Sequence, residues 1–166
     1  MVSIGPNSQS NNFSHMFDNN LTPNTIPKNT ILAQIYNHPD FTYFKKLTKK
    51  SGLENILADL QADITLFIPD DNLLSLENKK YILNADRITA MNIIKNCMLN
   101  KRITSDILKE NKASYFITRN SKNKLLVSYF NQDLLINDEI KIIFSDIECI
   151  NGLIHITDNL IKPLIY

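Results

Sequence analysis

An α+β fold is predicted by two features of the 166-residue chain. Up to about Leu108, apolar residues recur three and four apart, the spacing of one helix face. After Ser114 they crowd into short runs rich in Ile, Val and aromatic residues, separated by polar turns. Helices first and antiparallel strands after them indicate an α+β fold or a helix-decorated β-sandwich. The chain is 43% hydrophobic, enough to bury a real core, and its length suits one domain with a short appendage.

Residues 1–28 are rich in Asn, Ser, Thr and Pro with isolated apolar residues, and read as a flexible arm. Phe13, Met16, Phe17 and Leu21 are its docking residues, on a partner or on its own domain. Asn12-Phe13-Ser14 and Asn20-Leu21-Thr22 fit the glycosylation pattern and matter only in an exported chain. The domain spans residues 29–166. Ile31, Leu32 and Ile35 predict a short helix ended before Pro39. Phe41, Phe44 and Leu47 predict a second, stopped by Ser51-Gly52. Leu53, Ile56, Leu57 and Leu60 predict a third.

The stretch "DITLFIPDD" changes period: Ile64 to Ile68 reads as a buried strand closed by Pro69 and an Asp-rich turn. A longer helix is expected over about Ala85 to Leu99, with Ala90, Met91, Ile94, Cys97 and Met98 as its apolar stripe. Thr104 to Leu108 reads as a capped single turn. "SYFIT" and "KLLVSYF" flank "RNSKN" as a hairpin, "DLLIN" and "EIKIIF" flank Asp138 as another, and "GLIHIT" is the last strand.

Composition narrows the function. The net charge is +1 and the basic residues are scattered, which argues against a protein held to nucleic acid by phosphate attraction. No apolar run is long enough for a membrane helix. The first residues lack the basic and apolar regions of a secretory signal, so a virion or cytoplasmic assembly is the expected location. Ile, Asn and Lys, residues of AT-rich codons, are over-used, pointing to an AT-rich organism or virus. Cys97 and Cys149 have no metal-ligand spacing and read as free buried thiols.

No catalytic constellation is legible. Cys97, His155 and Asp158 would make a nucleophile, base and orienter, but no nucleophile elbow or Gly-rich oxyanion loop accompanies them. The three His residues are dispersed, which argues against a zinc site. Asp70-Asp71 read as a turn or helix cap in preference to a calcium corner. Ile154 and Ile156 alternate with Leu153, His155 and Thr157, which puts the imidazole on a half-buried face. No cofactor and no metal are expected.

Two motifs then carry a resemblance. "TLFIPDDNLL" (Thr65 to Leu74) is similar to the Thr-Val-Phe-Ala-Pro-Thr-Asp/Asn box of the fasciclin-like domain family. "INGLIHITDNLIKP" (Ile150 to Pro163) is similar to its Asn-Gly-x-Ile-His-Val-Ile-Asp-x-Val-Leu-x-Pro box. "KRITSDIL" and "LLINDEIKIIFSDIECING" resemble the intervening segments, so the match runs in order over about residues 30 to 163.

The resemblance implies a β-sandwich wedge of about seven strands decorated by N-terminal and central helices. It also implies adhesion or protein binding without an enzymatic reaction. It makes Thr65, Phe67, Pro69, Asn151, Gly152, His155, Asp158 and Pro163 structural, with Asn151-Gly152 turning into the last strand. Asn96-Cys97 stand where animal members often carry a Tyr-His pair linked to integrin binding, and Asp146-Ile147 stand where an Asp-Ile adhesion motif occurs. These four are the candidate partner contacts. The partners expected are proteins of a particle, surface or matrix, with self-association among the options. The fitting version is a structural or attachment component, such as one in the particle of a large DNA virus. The alternatives are an extracellular adhesion protein binding integrin-type receptors or matrix, and, less well supported, a Cys/His enzyme or a lipid- or carbohydrate-binding surface.

Overall fold

The computed structural model describes residues 25–163. Residues 1–24 of the expected arm, with its four apolar docking residues and both glycosylation patterns, lie outside them. Ile26 already packs against the core, and the Thr30 hydroxyl donates to Pro27 O at 2.8 Å.

Local chemistry explains where the first helices begin and end. Helix α1 (Ile31–Asn37) starts at Thr30, whose hydroxyl accepts from Ala33 N–H, and ends before Pro39. Helix α2 (Thr42–Ser51) ends on Gly52, whose φ of 73° is the left-handed cap that glycine favours. Helix α3 (Glu54–Ala58) is only 5 residues long. Asp59 leaves the helical conformation and accepts from Gln61 N–H through its side chain. The expected third helix therefore stops short, and Leu60 faces solvent.

Strand β1 (Ile64–Pro69) follows as expected. Helix α4 (Leu76–Asn84), started by the Ser75 cap, was not expected. It buries only Asn78 and Ile82, so it has almost no apolar stripe to read. Helix α5 (Arg87–Asn96) is shorter than the helix expected over 85–99. Asp86 caps its start, and Cys97 ends it by turning the chain into β2 (Met98–Leu99), which pairs with β1. Cys97 and Met98 are thus core residues beyond the helix rather than members of its stripe. Helix α6 (Ser105–Leu108) is the expected single turn capped by Thr104.

The remaining strands are β3 (Ala113–Ile117), β4 (Lys124–Phe130), β5 (Asp133–Ile136), β6 (Ile140–Cys149) and β7 (Gly152–Thr157). Asn131 and Gln132, with φ of 51° and 69°, make the tight turn between β4 and β5. The strands form one mixed sheet in the order β2-β1-β7-β6-β5-β4-β3. Seven strands with helices around them is the α+β architecture expected.

One pairing direction was not specified by the sequence: β1 and β7 run parallel. Period-2 alternation marks a strand but carries no pairing direction. Register shifts near Phe144 and Asp146 bend β6, which serves both halves of the sheet. The sheet curls until its two ends meet, where Arg119 N–H donates to Met98 O at 2.7 Å. Strands β1 and β7 are buried along their whole length, whereas β3 alternates with one side in solvent.

Candidate functional site

The parallel pairing brings the two boxes side by side: Phe67 lies opposite His155 and Pro69 opposite Thr157. Both faces of β7 are covered, so His155 has 0% exposure instead of the half-burial expected. Its Nδ1 accepts from Asp146 N–H at 3.1 Å, and its Nε2 meets Ile103 O at 2.8 Å. A carbonyl only accepts, so the proton sits on Nε2 and the ring is neutral. Burial lowers the imidazole pKa, outweighing the Ile103 carbonyl and the Asp146 carboxylate, which favour the charged form. The 4.0 Å approach of Nδ1 to the Asp146 carboxylate is therefore not an ion pair. The Phe67 ring lies 5.5 Å from the imidazole.

Asp146 has a left-handed φ of 62° at the bend of β6. Its carboxylate accepts from Ser105 N–H at 2.9 Å and from the Ser105 hydroxyl, tying β6 to the start of α6. Burial works to raise its pKa, but the two Ser105 bonds, with His155 and Lys109 nearby, hold it below the usual value. From β1, the Thr65 hydroxyl donates to Lys101 O at 2.6 Å and accepts from Ile103 N–H at 2.8 Å. Thr65 and His155 therefore clamp the Lys101–Ile103 segment from below.

Ser105, Asp146 and His155 are a familiar trio for acyl transfer, but here the wiring is different. The serine donates to the aspartate, and both imidazole nitrogens bond to backbone groups, so the imidazole does not face the hydroxyl. Neither imidazole nitrogen reaches Cys97 or Asp158, the other arrangement weighed from the sequence.

Asn151 has 0% exposure. Its side-chain oxygen accepts from Ile31 N–H at 2.9 Å, and its amide donates to Leu57 O at 2.9 Å and Asp59 O at 3.2 Å. It joins the start of α1, the end of α3 and the turn into β7. Gly152 follows with φ of 151°, and a Cβ there would fall 1.9 Å from Ile64 O. Asp158 accepts from Lys141 N–H and donates back from its own N–H to Lys141 O, both at 3.0 Å. Thr65, Phe67 and Pro69 are buried, while Pro163 is exposed.

The candidate partner contacts fall in two unlike places. Cys97 is wholly buried, so in this conformation it cannot touch a partner. Burial pushes its thiol pKa up to about 12. Asn96 is 6% exposed and accepts from the Asn123 amide. Asp146 is half-buried and spends its carboxylate on Ser105, and Ile147 packs against the core. Asp71, read from the sequence as a turn or cap, caps a distant helix: it accepts from Thr42 N–H, the Thr42 hydroxyl and Tyr43 N–H at 2.8, 2.5 and 3.1 Å. Among the described residues no cluster of three or more His, Cys, Asp or Glu is placed to hold a metal ion. Among them, too, no helix is long and apolar enough to cross a membrane.

Sequence reasoning missed Ser105 and the Lys101–Ile103 segment. A Thr-Ser-Asp run reads as a local cap, and nothing in it announces partners 41 residues away.

A curled mixed sheet flanked by helices holds the two polar-bearing boxes in its core, where their buried polar groups tie the scaffold together. The family model for the fasciclin domain matches residues 39–163, and the chain belongs to that family. The family consists of protein-binding and adhesion modules and is in general non-enzymatic. Among solved structures, the chain is similar to a FAS1 domain pair from the insect cell adhesion molecule fasciclin I, with a TM-score of 0.65 and 23% identity. The similarity covers 86% of this chain and 52% of that one, so this chain spans about half of that domain pair. No curated protein matches.

Proposed function

We propose that the chain is a non-enzymatic protein-binding module acting as a structural or attachment component of a particle or surface assembly. One observation carries this reading: the polar groups of both boxes are consumed by internal hydrogen bonds, while β3, β4 and β6 expose apolar side chains. Tyr115, Ile117, Phe130 and Phe144 are 59, 66, 69 and 59% exposed. Scattered apolar residues are ordinary, but four of them across β3, β4 and β6 fit a contact surface. The Asn-, Ile- and Lys-rich composition favours an assembly from an AT-rich source such as a large DNA virus. A receptor or matrix contact through Asp146-Ile147 has less support, because that carboxylate is already bound to Ser105.

An affinity pull-down from source material, with the full chain and with a version lacking residues 1–24, tests the reading. Stable protein partners in particle or surface fractions are the expected result. A chain found only in soluble fractions, capturing nothing, would sink it.

A further inference from the structure

The second sheet end, β3, pairs with β4 on one side only. The bonds from Tyr129 N–H to Lys112 O and from Thr118 N–H to Asn123 O show which β3 residues face β4: the even-numbered ones. The backbone groups of Ala113, Tyr115 and Ile117 therefore point outward, in line with Arg119, whose N–H reaches Met98 O. No partner for those three outward N–H groups occurs among the described residues. The β3 edge and the segment after β2 touch at Arg119 and then diverge. Between them lies a cleft of about 360 Å³ lined by Leu99, Asn100, Lys101, Ile103 and Tyr115 to Ile117. One wall of it is the segment that Thr65 and His155 clamp.

We propose that this cleft takes an extended acidic segment of a partner protein, which adds to β3 as a further strand. This rests on the protein-binding reading above. Unpaired edge groups supply a ladder, and the apolar lining receives alternate side chains. Charge selects the occupant. No carboxylate lines the cleft. Lys101 lies on its lining, the Lys124 ammonium sits 5.2 Å from the Tyr115 ring, and Arg119 bonds to Asn100. A second copy pairing edge to edge would set these cations against their own counterparts, whereas an acidic strand meets them.

The test titrates the full chain with a short synthetic peptide of alternating Val and Glu, and with its Val/Lys counterpart, following amide exchange at Tyr115 and Ile117. The expected result is salt-sensitive binding of the Glu peptide alone, with both amides newly protected. Tyr115→Pro removes an outward N–H while leaving the β4 ladder intact, and should weaken binding about tenfold relative to Tyr115→Val. Should the proline variant fail to fold, amide protection in the native chain decides. No binding of the Glu peptide, equal binding of the Lys peptide, or protection elsewhere overturns the proposal. So does prior protection of these amides in the free chain, whether by dimerisation or by residues 1–24. If Tyr115→Pro matches Tyr115→Val while pull-down partners persist, the edge is wrong and the protein-binding reading stands.

Discussion

His155 binds one backbone group 9 residues away and another 52 residues away, which explains why a polar ring sits among apolar neighbours. Replacing it with Ala leaves Asp146 N–H and Ile103 O unpaired in a buried place. We expect a loss of about 1–3 kcal/mol of stability, read from denaturant midpoints; an unchanged midpoint would contradict the bracket. The pH dependence follows from the sign of the shift. The folded imidazole has a lowered pKa, so below about pH 6.5 the unfolded chain takes up a proton that the folded chain resists. This contribution is complete above that pH and declines as pH falls. Asp146, with its folded pKa also lowered, adds a second decline at lower pH, as acid reaches the carboxylate. Thermal unfolding across pH should show the first decline in the wild type and a shallower one in His155→Gln.

Among the elements, α2 shows how a helix end can depend on a remote residue. Phe41 precedes it without capping it; Asp71 does so from the turn after β1. Asp71→Ala should cost about 0.5–2 kcal/mol, and Asp71→Asn less, because it keeps an acceptor. The slope of denaturant unfolding should stay constant, since the surface exposed on unfolding barely changes. Legibility followed the apolar stripe. Helices α1 and α2 were clear because Ile31, Leu32 and Ile35, then Phe44 and Leu47, bury one face. Helix α4, with Ile82 as its single buried apolar residue, gave no such signal. At Cys97 the apolar run continues while the backbone changes from helix to strand, so the pattern could not mark the boundary.

For the molecule as a whole, β1 and β7 pair across most of the chain, and their packing depends on everything between them. Cys97 and Cys149 report on that cooperativity. Both are buried and free, and burial pushes their thiol pKa values up to about 12 and about 11. A thiol reagent should modify neither quickly in the native protein and both after unfolding. Rapid modification of Cys97 without denaturant would show local opening at the end of α5.

What the amino-acid order determined unaided was the class of fold, most of its elements and the family. Apolar periodicity, caps and the two boxes are local patterns, readable within a few residues. The parallel pairing of β1 with β7, the bracket of Thr65, Ser105, Asp146 and His155, and the place of β3 at one end of the sheet were decided by tertiary structure. Each joins groups distant along the chain, and a side chain's type states which bonds it can make but not which distant partner folding will bring to it.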